Sequence, residues 1–147
     1  LGAAQFALPG AVDRLRAVRE PVDAELHPGD VPAPIVLAAT DPAQPYGAAL
    51  AWPDTPGRPA RTASAVVVLH QGVPLVWLDR RGHHLVTFPA AASDGSWADA
   101  LAGLVASGRD RSVEVRKVNG GAVPDEVVEQ LRSAGFADGY RGLVVRA

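Results

Sequence analysis

Side chains able to move protons or hold charge are few in this sequence and lie at a handful of places. There are four histidines, His27, His70, His83 and His84. Metal ligation needs several such donors converging in a fixed geometry. His83 and His84 are adjacent, and a strand would aim them at opposite faces, so no metal site is expected and they read as surface histidines at a turn. Asp41, Asp54 and Asp79 lie in or beside a long irregular stretch and the turns that follow it. A lone carboxylate that activates water suits hydrolysis or base excision. Asp41-Pro42 also reads as a turn opener, through the side-chain hydrogen bond typical of aspartate. Cysteine is absent, which removes disulfides, thiolate metal sites and thiol nucleophiles together.

Aromatic and basic residues are better placed. Tyr46, Trp52, Arg58 and Arg61 share one loop, and Arg80 and Arg81 share one turn. Bases stack on aromatic rings, and phosphates pair with guanidinium forks. These residues are the candidates for a nucleic-acid or protein interface. The plainer alternative is that Tyr46 and Trp52 pin the loop to the core and that an exposed hairpin turn is simply charged. The sequence has no Gly-x-x-x-x-Gly-Lys-Ser/Thr, no Gly-x-Gly-x-x-Gly after a strand and no Gly-x-Ser-x-Gly. A triphosphate cradle, a dinucleotide fingerprint and a nucleophile elbow are therefore missing. No catalytic, cofactor-binding or metal-binding residue is assigned.

The elements that must position these residues follow from spacing. Residues 9–19 read as a short helix, with Pro9 in its first turn and Leu8, Val12, Leu15 and Val18 at helical intervals. Residues 20–34 hold four prolines and several charges and read as an exposed linker. Residues 35–39 are a continuous apolar strand candidate. Residues 40–62 form a long irregular stretch with five prolines, and such loops are uncommon and often functional. Strands at 64–69, 75–79 and 85–88, joined by Gln71-Gly72 and Arg81-Gly82, predict an antiparallel meander.

Ser96 is expected to cap the next helix through its hydroxyl, with Asp99 in a capping-box position and Gly108 as terminator. Residues 112–118 alternate Val113, Val115 and Val118 against charged residues, predicting one strand with a wet face. Pro124 opens a third helix with Val127, Val128 and Leu131 inward and Gly135 at its end. Residues 142–146 form the last strand. The fold class is α+β: an antiparallel curved sheet or partly open β-barrel with about three helices. The organisation is an entry helix (1–19), a Pro-rich linker (20–34) and a β-rich accessory domain (35–147).

Composition sets the outer bounds. The 147 residues suit one ordinary domain, and 48% are hydrophobic, enough for a core without staples. The formal net charge of −2 excludes a polycation built to coat nucleic acid. Lys117 is the only lysine; arginine bias suits phosphate contact, or reflects genome composition. No apolar run reaches the length of a membrane span. The lack of cysteine fits a reducing compartment, and a cytoplasmic location is expected. The lack of methionine leads to the expectation of a fragment or processed piece of a larger protein.

The order of motifs resembles a known family. Residues 5–16, Gln-Phe-Ala-Leu-Pro-Gly-Ala-Val-Asp-Arg-Leu-Arg, look like the segment entering the last domain of Lhr-type (large helicase-related) proteins. Residues 39–53 contain Asp41-Pro42-Ala43-Gln44-Pro45-Tyr46-Gly47, similar to the family's Asp-Pro-Ala-x-Pro-Tyr-Gly block. Gly57-Arg58-Pro59-Ala60-Arg61, Ala65-Val66-Val67-Val68-Leu69 and the closing stretch from Ala134 through Gly139-Tyr140-Arg141-Gly142 to Leu143 follow in the expected order. Asp79-Arg80-Arg81-Gly82-His83 departs from the family's acidic, Arg-Gly-Gly, basic pattern.

The resemblance implies a large bacterial ATP-dependent DNA helicase linked to DNA repair, with ATP and magnesium bound in an upstream motor and none in this fragment. It implies winged-helix modules, a β-barrel-like module and a C-terminal region associated with oligomerisation and similar to winged-helix DNA glycosylases. The partners it implies are the rest of the Lhr-type polypeptide, a second copy of it and, as a possibility, DNA, with no membrane. Three readings stay open: an accessory module for assembly or DNA engagement; part of a glycosylase-like hydrolase using a carboxylate such as Asp41 or Asp79; and a purely structural cap on the preceding module, with Trp52 and the first helix as interface residues.

Overall fold

Strongly β-branched runs dictate the centre of the fold. The computed structural model describes residues 8–17 and 32–147. The chain divides into two units, Leu1–Val31 and Pro32–Ala147. In the first, α1 spans Ala11–Ala17, with Leu8 and Val12 exposed. Val18, Arg19 and most of the expected linker at 20–34 lie outside the described residues.

The second unit is built on a five-stranded sheet in the order β1 (Ile35–Ala38), β2 (Ala65–His70), β3 (Val73–Asp79), β4 (His84–Thr87) and β6 (Lys117–Val118). The first four strands run antiparallel, and β6 joins β4 in parallel. A 3-10 turn (Pro89–Ala92) and α2 (Ser96–Ala106) follow the meander. A second sheet has the order β5 (Ser112–Val115), β8 (Leu143–Arg146), β7 (Ala137–Asp138), and α3 (Asp125–Ser133) precedes β7.

Both faces of the central sheet are covered, which explains why β2 is apolar throughout rather than alternating. Register places Leu37, Val67, Trp77 and Val86 in one row across four strands. Val66, Leu78 and Leu85 occupy the next row, whose side chains face the other way. The second set joins Trp97, Leu101, Leu104, Leu131 and Phe136 in the main core. The first set joins Ala39, Leu69 and Phe88 in a smaller core, with Tyr46 and Trp52 packed on it. The long loop at 40–62 is the cover of that second face.

The α+β class with a curved sheet holds, but the barrel does not. The final strand pairs with β5 and β7 in a separate sheet and never reaches the meander. The expected single strand at 112–118 is two strands in two sheets, broken at Arg116. The reason is parity. Val113 and Val115 point one way in a period of two, whereas burying Val118 as well needs an odd step. The α2 cap is also corrected. Ser96 is the first helical residue and Gly95 the cap position, with no side-chain cap bond. Asp94 takes the role instead: its Oδ1 accepts the Ser96 amide at 3.0 Å and the Ser96 hydroxyl. Gly108 ends α2 and Gly135 follows α3, both at positive φ. No helix among the described residues is long and apolar enough to cross a membrane.

Asp94 links α2 to β2. Its Oδ2 meets His70 Nδ1. Burial raises the Asp94 pKa, but hydrogen bonds from Ser96 and His70 outweigh it and hold the carboxyl below its ordinary value. Glu114 is lowered as well, first by the hydrogen bond from Arg116. A carboxylate with a depressed folded pKa adds stability above its unfolded value of about 4 and loses it as pH falls through the folded value. Urea midpoints are therefore expected to be level above about pH 5 and to drop below about pH 4. Asp94→Asn should flatten that drop. An equally steep acid limb in the variant would remove Asp94 from the account.

Candidate nucleic-acid interface

Residues 40–62 have few backbone ladder bonds, so side chains hold them in place. Gln44 is 1% exposed; its Nε2 donates to the carbonyls of Ala39 (3.2 Å) and Tyr46 (2.9 Å), and its Oε1 accepts the Tyr46 amide. Arg61 reaches across the loop, donating from one nitrogen to the Gln44 carbonyl (2.6 Å) and from the other to the Asp41 carbonyl (3.1 Å). Tyr46, Trp52 and Phe88 stack in a row, with centroids 6.0 and 5.7 Å apart. The Tyr46 hydroxyl donates to the Gly72 carbonyl at 3.0 Å, and Trp77 Nε1 donates to the Ala60 carbonyl at 2.9 Å. Gly47 sits at positive φ, and a Cβ there would lie 2.5 Å from Trp52 Nε1.

Three of the four loop candidates thus hold the loop to the protein. Tyr46 and Trp52 are half-buried anchors, Arg61 ties backbone carbonyls, and Arg58 is exposed with no side-chain hydrogen bond among the described residues. Hydrogen bonds from charged donors contribute about 1.5–3 kcal/mol. Arg61→Ala is expected to lower unfolding stability by about 2 kcal/mol. Arg61→Lys should recover only part of this, because an ammonium lacks the planar fork that spans both carbonyls. A wild-type urea midpoint for Arg61→Ala would mean that stacking alone secures the loop.

The β3–β4 turn separates its two arginines. Arg80 Nη1 lies 3.0 and 3.1 Å from the two Asp110 oxygens, and its Nε donates to the Ser64 carbonyl at 3.2 Å. Arg81 is exposed, and its guanidinium has no hydrogen-bond partner among the described residues. Asp79, in the same turn, accepts the Ser64 hydroxyl (2.9 Å) and the Arg81 amide (3.1 Å). Burial raises its pKa, but these hydrogen bonds and one from the Gly82 amide outweigh it and hold the carboxyl below its ordinary value. Asp41 closes a turn, its Oδ1 accepting the Ala43 amide at 2.8 Å. Both carboxylates serve as local backbone acceptors.

His70, His83 and His84 are half-buried rather than surface groups, and His27 lies outside the described residues. His84 Nε2 accepts the Gly120 amide at 2.8 Å, and His83, at positive φ, has Nδ1 3.7 Å from Glu114. No cluster that could hold a metal exists among the described residues. Asp54 opens onto a cleft of about 400 Å³ with Phe88, Thr87, Glu126 and Gln130. Neither Glu126, expected only as a favourable charge at the start of the third helix, nor Gln130 is among the candidate site residues of the sequence. Their spacing of four on α3 puts them on one helix face, but nothing local says that this face meets Asp54.

Relatives decide the family. The Lhr helicase and probable uracil glycosylase of Mycolicibacterium smegmatis is 44% identical over 158 aligned positions, covering 99% of this chain and 10% of that protein. The Lhr helicase/uracil glycosylase of Escherichia coli is 36% identical over 90, covering 60% of this chain and 6% of that protein. The chain belongs to the Lhr-type family. It spans no more than about a tenth of the length of the curated relatives it matches, in their C-terminal region. No protein-family model matches it.

The block that carries the Lhr-type resemblance now has a physical reading. Asp41 caps the turn, Gln44 is the buried bracket, Tyr46 is the first ring of the stack, and Gly47 leaves room for Trp52. In this Lhr-type chain the motif fixes a loop over a sheet face.

Proposed function

We propose that this chain is an accessory, non-motor module of an Lhr-type ATP-dependent DNA helicase linked to DNA repair, serving DNA engagement, assembly of the helicase, or both. One observation carries the reading: nearly the whole chain matches a tenth of a protein named as a helicase, while no nucleotide-binding motif lies in it. ATP and magnesium then belong to the motor elsewhere in the polypeptide, in a cytoplasmic protein. The exposed guanidiniums of Arg58 and Arg81 support DNA engagement.

Light scattering on the chain, together with single-stranded DNA titrations across salt, tests this. Self-association, or affinity that falls with salt, is expected; a strict monomer without salt-dependent binding would overturn it. Arg81→Ala should reduce the log–log salt slope by about 0.7. An unchanged slope removes Arg81 from the contact. Arg80→Ala is a poorer probe, because it also breaks the Asp110 pair.

The second reading is a glycosylase-like hydrolase module, and the cleft beside Asp54 favours it. That cleft offers two carboxylates and an amide next to the aromatic Phe88, a setting suited to a planar base and an activated water. Both relatives are also named as glycosylases, one of them as probable. Cleavage of uracil-containing DNA by a longer C-terminal segment, with Asp54→Asn and Glu126→Gln tested separately, examines it. Full activity in both variants would exclude this cleft.

A further inference from the structure

Tyr140 is 96% exposed and sits at the tip of the turn between β7 and β8. Its position is imposed by the backbone. The Gly139 amide donates to the Gly142 carbonyl at 2.7 Å, closing the turn. A Cβ at Gly142 would lie 2.2 Å from the Val115 carbonyl oxygen, and one at Gly139 would lie 3.0 Å from Val144 Cγ1. The two glycines allow the turn to seat tightly and leave the ring standing clear. The Arg141 guanidinium carbon lies 5.8 Å from the ring centroid.

Backbone contacts tie the turn to two segments that carry further exposed basic residues. Gly142 packs on the backbone at Val115 and Arg116. The amides of Arg116 and Lys117 donate to the His83 carbonyl at 2.8 and 3.3 Å, which joins this segment to the turn holding Arg81. The nearby carboxylates are occupied. Glu114 takes two bonds from Arg116 (2.9 and 2.7 Å), Asp138 accepts Arg132 at 2.9 Å, and Asp79 accepts Ser64 and the Arg81 amide. Arg81, Lys117 and Arg141 are exposed, without an ion-pair partner among the described residues.

We propose that the Tyr140–Arg141 turn is a stacking platform for an unpaired base, at the end of an Arg81–Lys117–Arg141 ridge that holds the backbone phosphates of a single-stranded nucleic acid. This rests on the DNA-engagement reading and places its aromatic contact on Tyr140. A protein hot spot would set the ring in an apolar pocket, whereas this ring is 96% exposed, follows Gly139 and lies against the Arg141 guanidinium. A duplex buries its base faces in the stack, so only an unpaired strand presents one to an exposed ring.

Fluorescence anisotropy with a labelled oligo-dT tests this at several salt concentrations. Tyr140→Ala should weaken binding about tenfold with an unchanged salt slope, because a stacked ring releases no counterions. Tyr140→Phe should bind like wild type. Lys117→Gln should lower the slope by about 0.7. If Tyr140→Ala binds like wild type while Lys117→Gln is weakened, the platform is overturned and DNA engagement stands. The same holds if Tyr140→Phe is as weak as the alanine variant. If wild type binds no oligonucleotide at low salt, both readings fall and the ridge belongs to a protein contact.

Discussion

Trp97→Ala is expected to destabilise the fold by about 3–5 kcal/mol, enough to unfold a domain of ordinary stability. Trp97 is 0% exposed and is the bulkiest of the fully buried side chains. It lies in the first turn of α2, in the core shared with β2, β3, β4 and α3. Removing it deletes contacts to sheet and helices at once, and neighbours in helices and strands collapse only partly into the void. Its Nε1 is buried without a hydrogen-bond partner among the described residues. Trp97→Phe therefore removes an unpaired donor as well as some volume, and should cost clearly less than the alanine change. Urea unfolding with coincident fluorescence and circular dichroism transitions checks both. Equal losses for Phe and Ala would mean that ring volume beyond phenyl dominates and that the orphaned N–H has little weight.

Gly142→Ala is expected to cost about 3 kcal/mol, at the upper end of overpacking effects. The added methyl would meet the Val115 carbonyl oxygen at 2.2 Å and the Arg116 Cα at 2.9 Å, both backbone atoms of the partner segment. Neither can rotate away, so β8 would have to move off β5. Loss of that pairing, Val115 opposite Leu143 in particular, would show as fast amide exchange along both strands. Normal exchange and stability would mean that the turn adapts. Gly72→Ala is a useful contrast: nothing lies near its Cβ position, and only its positive φ resists the change. A smaller loss there separates backbone strain from steric overlap.

Much of this fold was legible because its signals are local. The β2–β3–β4 meander announced itself through β-branched runs separated by Gln71-Gly72 and Arg81-Gly82. The helices α2 and α3 followed from spacing and from their terminal glycines. Ser96 and Asp94 show where local reading slips. Two residues apart, both are competent caps, and the choice fell to Asp94, which also meets His70 at the end of β2. Arg61 and Arg80 show the same for charge. Each looked available to phosphate, and each is engaged by backbone carbonyls or a carboxylate distant in sequence.

By itself the sequence determined the α+β class, the meander, the helices and the family, because period, turn residues and motif order are properties of neighbouring residues. Only the tertiary structure decided that the proline-rich loop is a cover, that the last strand builds a second sheet instead of closing a barrel, and which arginines remain free. Those outcomes depend on which face is buried and which carbonyl or carboxylate arrives from elsewhere. Tyr140 belongs to both accounts. Gly-Tyr-Arg-Gly belongs to the closing stretch that carries the family resemblance, but its exposure follows from Gly142 seating against Val115, a contact that no local pattern contains.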